Sequence, residues 1–320
     1  MPMTRPSFVL FAVFTVLMSG AASMIARPKI TPVRRAPEHQ TGTLNVNHTT
    51  LYYETFGSGT PILVLHGGPG MDHTYFLPQM LSLSRRYKLI FMDERASGKS
   101  SADVDSSSMN MHMMVEDVEA VRVALHLGKV NLMGHSWGGL LAMRYVLAHP
   151  DNVKSLMLVD PTPATSAMRD SSFQNMRHHM TVGDSINLAK ITASEEFRKG
   201  SPATYAKFFR SLFRPLFADT TKLDSLTLEF PSDYAARSKA IQFLYRDPTL
   251  KSYDLTAGLR DLRCRALIIA GDHDQVPPGA FEQIHYDLSG SRLVIIKDCG
   301  HFPFIEAPQE FDAAVERFLR

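Results

Sequence analysis

The stretch VNLMGHSWGGLLAMRYVLA, residues 130–148, decides the fold. Residues 130–133 form a short apolar run of the kind found in a strand covered on both faces. Gly134-His135-Ser136-Trp137-Gly138 then fits G-x-S-x-G, and residues 139–148 read as a helix that ends before Pro150. Glycines on both sides of Ser136 permit the strained strand-to-helix turn that lifts a serine hydroxyl out of a sheet, with a helix N-terminus behind it. The pentapeptide alone also suits an ordinary Gly-rich turn. Its place between a buried strand and a helix makes Ser136 the candidate nucleophile.

Working outward, further apolar runs occur at 44–46, 51–56, 61–65, 88–92, 153–159, 266–270 and 292–296. The later runs are nearly continuous, which suits a parallel sheet buried on both faces. Met114, Val118, Val121 and Leu125 recur at helical spacing with charges on the other faces, a helix crossing between parallel strands. The fold class is therefore α/β, a mostly parallel sheet covered by helices on both faces. The rhythm breaks over 161–250, where Tyr205, Phe208, Phe209, Leu212 and Phe213 mark helical patterns and no run resembles a buried strand. So long an insertion is expected to fold as a helical cap. The expected layout is a leader at 1–26, a linker at 27–43, a core at 44–160, the cap at 161–250 and the rest of the core at 251–320.

A serine hydroxyl needs a base, and the base needs an orienting acid. On a sheet with this elbow, the acid and then the histidine follow the nucleophile in the chain, each at the C-terminal end of a strand. Gly271-Asp272-His273-Asp274 follows the run at 266–270, and Gly300-His301 follows the last run. His301 is the candidate base, whereas His178, His179 and His285 read as exposed or structural. Asp274 is preferred to Asp272 as the acid because it lies further into the loop beyond the strand end. The oxyanion donors are expected from the backbone of Trp137, next to the nucleophile, and of Gly68 in His66-Gly67-Gly68-Pro69-Gly70, with Gly67 as the runner-up.

The composition fits an ordinary globular enzyme: 320 residues, 44% hydrophobic, 21% charged, with 34 Lys+Arg against 32 Asp+Glu. Near-balanced charge without a basic cluster in the core gives no nucleic-acid surface. Scattered histidines without ligand spacing give no metal site, and no cofactor is implied. The run from Phe8 to Met18, followed by Ser19, Gly20, Ala21, Ala22 and Ser23, reads as a signal peptide and so as export. An uncleaved membrane anchor is the alternative, since residues 8–26 approach the length that spans a bilayer; Arg27, Lys29, Arg34 and Arg35, which follow the run, favour the cytoplasmic side and argue against both readings. Cys264 and Cys299 fall at opposite ends of neighbouring strands and are expected to be free thiols. Asn47-His48-Thr49 matches a glycosylation acceptor, a short and weakly informative pattern.

Taken together, HGGPG at 66–70, DERASGKS at 93–100, GHSWGG at 134–139, GDHD at 271–274 and GHFPFIEAPQEF at 300–311 resemble the α/β-hydrolase superfamily. More narrowly, they resemble the proline iminopeptidases, serine peptidases of that superfamily. The resemblance covers most of 44–320 and implies an α/β-hydrolase fold and removal of an N-terminal residue, typically proline, from small peptides. Ser136 stands where dehalogenases and epoxide hydrolases of similar sequence carry Asp, so acyl transfer is implied. Ala96 replaces the glycine usual in D-x-R-G-x-G-x-S. Trp137 is the only tryptophan, so the tryptophans usual in the family's cap are missing. An aminopeptidase must neutralise a substrate ammonium, and Glu195, Glu196 and Glu229 are the cap candidates, each of which also reads as a solvated helix charge. Phe208, Phe209, Phe213 and Phe217 suit either a pocket lining or the cap's own core. A carboxylesterase or lactonase is the alternative enzyme, and a silent hydrolase fold used for binding is the remote one.

Overall fold

The computed structural model describes residues 38–320. The leader segment 1–26 and the linker up to residue 37 lie outside the described residues. Among the described residues no helix is long and apolar enough to cross a membrane.

Eight strands form one sheet: β1 (His39–Val46), β2 (Thr49–Phe56), β3 (Thr60–Leu65), β4 (Tyr87–Met92), β5 (Val130–His135), β6 (Val153–Val159), β7 (Arg265–Gly271) and β8 (Arg292–Ile296). Their order is β1-β2-β4-β3-β5-β6-β7-β8. β2 is antiparallel to both of its neighbours, β1 and β4, and every pair from β4 onward is parallel. β1 begins inside the stretch expected to be linker. Its residues 39–43 are mostly exposed on a sheet edge, and the polar sequence His-Gln-Thr-Gly-Thr carries no buried face for a hydrophobic pattern to reveal. The β1–β2 turn holds Asn47 and His48 at φ 46 and 59, the twist a two-residue hairpin needs. The Asn47 side-chain amide donates to Asp117 at 3.0 Å, which ties down the nitrogen that glycosylation would require.

Alternate residues of the central strands feed two cores. On one face Leu63, Leu65 and Leu132 pack against α1 (Met111–Ala124) and α2 (Trp137–Ala148). On the other, Ile62, Val64 and Met133 share a core with Phe311, Val315 and Phe318 of the C-terminal helix. Neither face of the sheet is left to water, which explains the continuous apolar runs.

Between β6 and β7 the chain forms α3 (Ser166–His179), α4 (Val182–Ala193), α5 (Glu195–Arg198), α6 (Pro202–Phe213), α7 (Tyr234–Leu244), α8 (Pro248–Lys251) and α9 (Thr256–Asp261). After β7 come α10 (Pro278–Asp287), α11 (Pro303–Glu306) and α12 (Pro308–Leu319). Cys264 and Cys299 are free thiols.

Candidate active site

The elbow forms because two positions in it cannot carry a side chain. A Cβ at Gly134 would stand 2.1 Å from the Gly138 carbonyl oxygen, and one at Gly138 would stand 2.4 Å from that of Leu65. Between them Ser136 adopts φ 55 and ψ −117, a conformation that L residues rarely adopt. The strained turn is held by β5 on one side and α2 on the other, so the hydroxyl projects at the C-terminal edge of the sheet.

His301 and Asp274 arrive from the loops after β8 and β7. His301 Nε2 lies 2.9 Å from Ser136 Oγ, and its Nδ1 lies 3.0 Å from both carboxylate oxygens of Asp274. A proton on Nδ1 faces the carboxylate, which leaves Nε2 free to accept the serine proton. Both side chains are almost fully withdrawn from solvent. Asp272 turns elsewhere, accepting from His273 Nδ1 at 2.7 Å and pairing with Lys297 at 3.3 Å.

The backbone N–H of Gly68 and that of Trp137 donate to no other group among the described residues; Trp137 directly follows Ser136 in the elbow, and Gly68 lines the cavity that holds Ser136. Gly68 sits at φ 128, a region open to glycine alone, with Met71 N only 2.9 Å from where a Cβ would be. The Gly67 N–H is already committed, donating to Tyr75 Oη at 2.6 Å. That phenol in turn donates to His135 Nδ1 at 2.7 Å, and His135 Nε2 donates to the His301 carbonyl at 2.8 Å. Burial holds the His135 imidazole well below its usual pKa, and the nearby His301 ring adds to this, so it stays neutral as this chain of bonds requires. Tyr75 and His135 thus lock the HGGPG loop to the backbone of His301. Nothing at sequence level singled out Tyr75.

Glu94, from DERASGKS, is 1% exposed and accepts the indole N–H of Trp137 at 2.9 Å. Its other oxygen is buried without a partner. Burial pushes this carboxyl up to about 8, aided by Asp117 and Asp93 nearby. Asp93 and Arg95 serve the fold: Asp93 accepts from His73 Nδ1 at 2.7 Å, and Arg95 makes a two-pronged pair with Asp117 at 2.7 Å.

A cavity of about 350 Å³ opens over Ser136 and His301. Its wall includes Phe173, Met176, Phe209, Leu212, Phe213, Tyr234, Ile241 and Phe302 and carries no Asp, Glu, Lys or Arg side chain. Of the four cap phenylalanines singled out in the sequence, Phe209 and Phe213 line it. Phe208 packs on Phe197, and Phe217 stacks on Phe302. A smaller chamber of about 260 Å³ shares Gly68, Pro69, Phe173 and Tyr245 with it and adds Trp137, Arg169, Asp170 and Lys251.

The glutamates expected to meet a substrate amine lie elsewhere. Glu195, Glu196 and Glu229 are all exposed and line neither chamber, and Glu195 pairs with Lys199 at 2.6 Å. These glutamates are candidates because they lie in the cap, and the fold leaves all three to water: Glu195 and Glu196 on α5, and Glu229 in the irregular segment before α7. The carboxylate that does border the site is Asp170, and its Oδ1 is already engaged by the Arg169 guanidinium at 2.7 and 3.0 Å. Among the described residues, Asp160, Asp274 and His301 form the one cluster whose ligand-type atoms all lie within 4.8 Å of one another. Two of the three are already bonded to each other.

The family model described as the alpha/beta hydrolase fold matches residues 60–308. The chain belongs to this α/β-hydrolase family. Among curated relatives it is 29% identical to a proline iminopeptidase of Heyndrickxia coagulans over 278 residues, which cover 83% of this chain and 93% of the relative. A solved proline iminopeptidase from Mycobacterium smegmatis shares the fold with TM-score 0.63 and 22% identity, over 88% of this chain and 97% of its own. An esterase from Exiguobacterium antarcticum matches equally well, with TM-score 0.63 and 26% identity over 86% of this chain and 97% of its own. As an α/β-hydrolase that resembles the proline iminopeptidases, the protein is a hydrolase with peptidase and esterase relatives.

Proposed function

We propose that this α/β-hydrolase is a serine hydrolase working through an acyl-enzyme, and that its substrate is a small peptide from which it releases an N-terminal residue in the manner of a proline iminopeptidase. The observation that carries the chemistry is the 2.9 Å contact of Ser136 Oγ with His301 Nε2, backed by Asp274. Ser136 attacks the substrate carbonyl while His301 takes its proton, and the oxyanion receives the N–H groups of Gly68 and Trp137. Collapse expels the leaving group with the proton from His301. Water then attacks the acyl-enzyme by the same route in reverse.

The relatives' name supports proline as the acyl part, and an apolar cavity of this size suits its ring. A second reading, carboxylesterase or lactonase, is favoured by one observation: the cavity over Ser136 has no carboxylate for an ammonium group, and Asp170 next door is already paired. An unpaired charge in such a place is costly. The two readings separate in one assay of the purified protein on a prolyl arylamide, its N-blocked form and a short-chain aryl ester, with Ser136→Ala as the blank. Preference for the unblocked amide, with KM raised in Asp170→Asn, supports the aminopeptidase. Ester turnover without amide turnover supports the second reading. Residues 1–26 are proposed to act as a signal peptide, so protein recovered from the medium or periplasm should begin near Arg27. Intact residue 1 on the exported chain, or retention in the membrane, would favour the anchor.

A further inference from the structure

Asp160 follows β6 directly, near Asp274, and plays no part in the chemistry above. It is fully buried and held at φ 41 by two main-chain bonds: its N–H donates to Ile269 O at 2.8 Å, and its Oδ1 accepts from Gly271 N–H at 2.9 Å. Its Oδ2 is buried with no partner that a carboxylate could use. Yet a carboxylate oxygen of Asp274 lies within 4.8 Å of its own. Two carboxyl groups this close in a dry interior cannot both be ionised, so the pair holds one proton.

The surroundings decide where that proton sits. Asp274 faces donors, the His301 Nδ1–H and the Val276 N–H, which favour its anion. Asp160 has a single N–H donor; of the titratable groups near it, Asp274, Glu306 and Cys299 are not cations, and His301, within 4.8 Å, gives its Nδ1–H to Asp274. We infer that Asp160 is a protonated carboxylic acid whose O–H donates to the Asp274 carboxylate, a positioning residue that fixes the triad acid and confines the relay to one negative charge. Burial first, and the Asp274 charge second, hold Asp160 well above the ordinary carboxylate range, in agreement with this assignment. A proton on the unpartnered Oδ2 would turn that orphan oxygen into a donor, with the Asp274 carboxylate within 4.8 Å of the Asp160 carboxyl as its acceptor.

The inference rests on the serine hydrolase reading, and its test keeps the two apart. Asp160→Asn supplies a neutral N–H donor of the same shape and should keep kcat within about three-fold of the parent. Asp160→Ala removes the donor and should lower kcat about 10- to 100-fold with KM unchanged, the loss of one hydrogen bond to a charged group. Unchanged kcat in Asp160→Ala, or equal damage in both variants, overturns the inference. Should Asp160→Ala fail to fold, infrared spectra decide: at neutral pH the parent should show the carbonyl band of a buried protonated carboxylic acid that Asp160→Asn lacks. No such difference overturns the inference without reference to activity. Turnover persisting in Ser136→Ala would instead remove the serine hydrolase reading and leave the infrared result standing.

Discussion

Ser136, His301 and Asp274 depend on one another through single hydrogen bonds, so their variants should behave as a unit. Ser136→Ala, His301→Ala and Asp274→Asn are each expected to lower kcat by about 10³-fold or more while the fold survives, measured by steady-state kinetics beside circular dichroism. Asp272→Asn, whose side chain meets His273 and Lys297, should stay within about three-fold of the parent. Glu94 carries a different prediction, in stability and its pH dependence. Its carboxyl titrates near 8 in the folded protein, far above an unfolded glutamate, so the folded state holds a proton that the unfolded state has released. Stability is then fullest below about 4.5 and declines as pH rises toward 8, on the order of 1 kcal/mol per pH unit over that window. Glu94→Gln should remove the slope and gain stability over the parent as pH approaches 8, which urea unfolding at several pH values would show. An equal slope in the variant would place that titration elsewhere.

At the scale of elements, the departure at Ala96 has a physical reading. The residue is fully buried and sits at φ 59, the conformation for which glycine is the usual choice. Ala96→Gly relieves a left-handed strain of about 1–2 kcal/mol but loses a buried methyl worth about 0.8 and adds chain entropy to the unfolded state. These terms nearly cancel, so the change in stability should be under about 1 kcal/mol. Ala96→Val meets both the strain and the packed core and should cost about 3 kcal/mol or more on the same denaturant curves. The elements themselves were readable where a residue pattern has one outcome, as in the elbow 130–148 or the helix through Met114 and Val118. β1 escaped because an exposed edge strand needs no apolar alternation. The functional side of the cap escaped because helical spacing says which face is apolar and not what that face meets. Phe208 and Phe209 are adjacent in sequence, and only the fold sends Phe209 to the cavity and Phe208 to Phe197.

Across the whole molecule, the insertion between β6 and β7 is joined to the loop that carries His301 by Glu306. Its Oε1 accepts the Gly300 N–H at 2.9 Å, and its Oε2 accepts those of Ala218 and Asp219 at 2.9 and 3.1 Å, while the His301 N–H reaches the Leu216 carbonyl at 2.9 Å. Glu306→Ala would leave one buried and two part-buried donors unmet and should cost about 1–3 kcal/mol of unfolding free energy, with kcat falling because Gly300, next to His301, loses its anchor. Full stability in that variant would mean that water replaces the carboxylate without loss. The order Ser136, Asp274, His301 and the alternation of strands and helices were set by the sequence alone, because an elbow, a strand end and a buried parallel strand each impose a local pattern of residue types. The charge-free wall over Ser136, the exposure of Glu195, Glu196 and Glu229, the lock through Tyr75 and His135, and the meeting of Asp160 with Asp274 were decided only by tertiary structure. Each joins residues from separate strands, loops or helices, and whether a carboxyl is solvated, paired or protonated depends on what the fold packs around it.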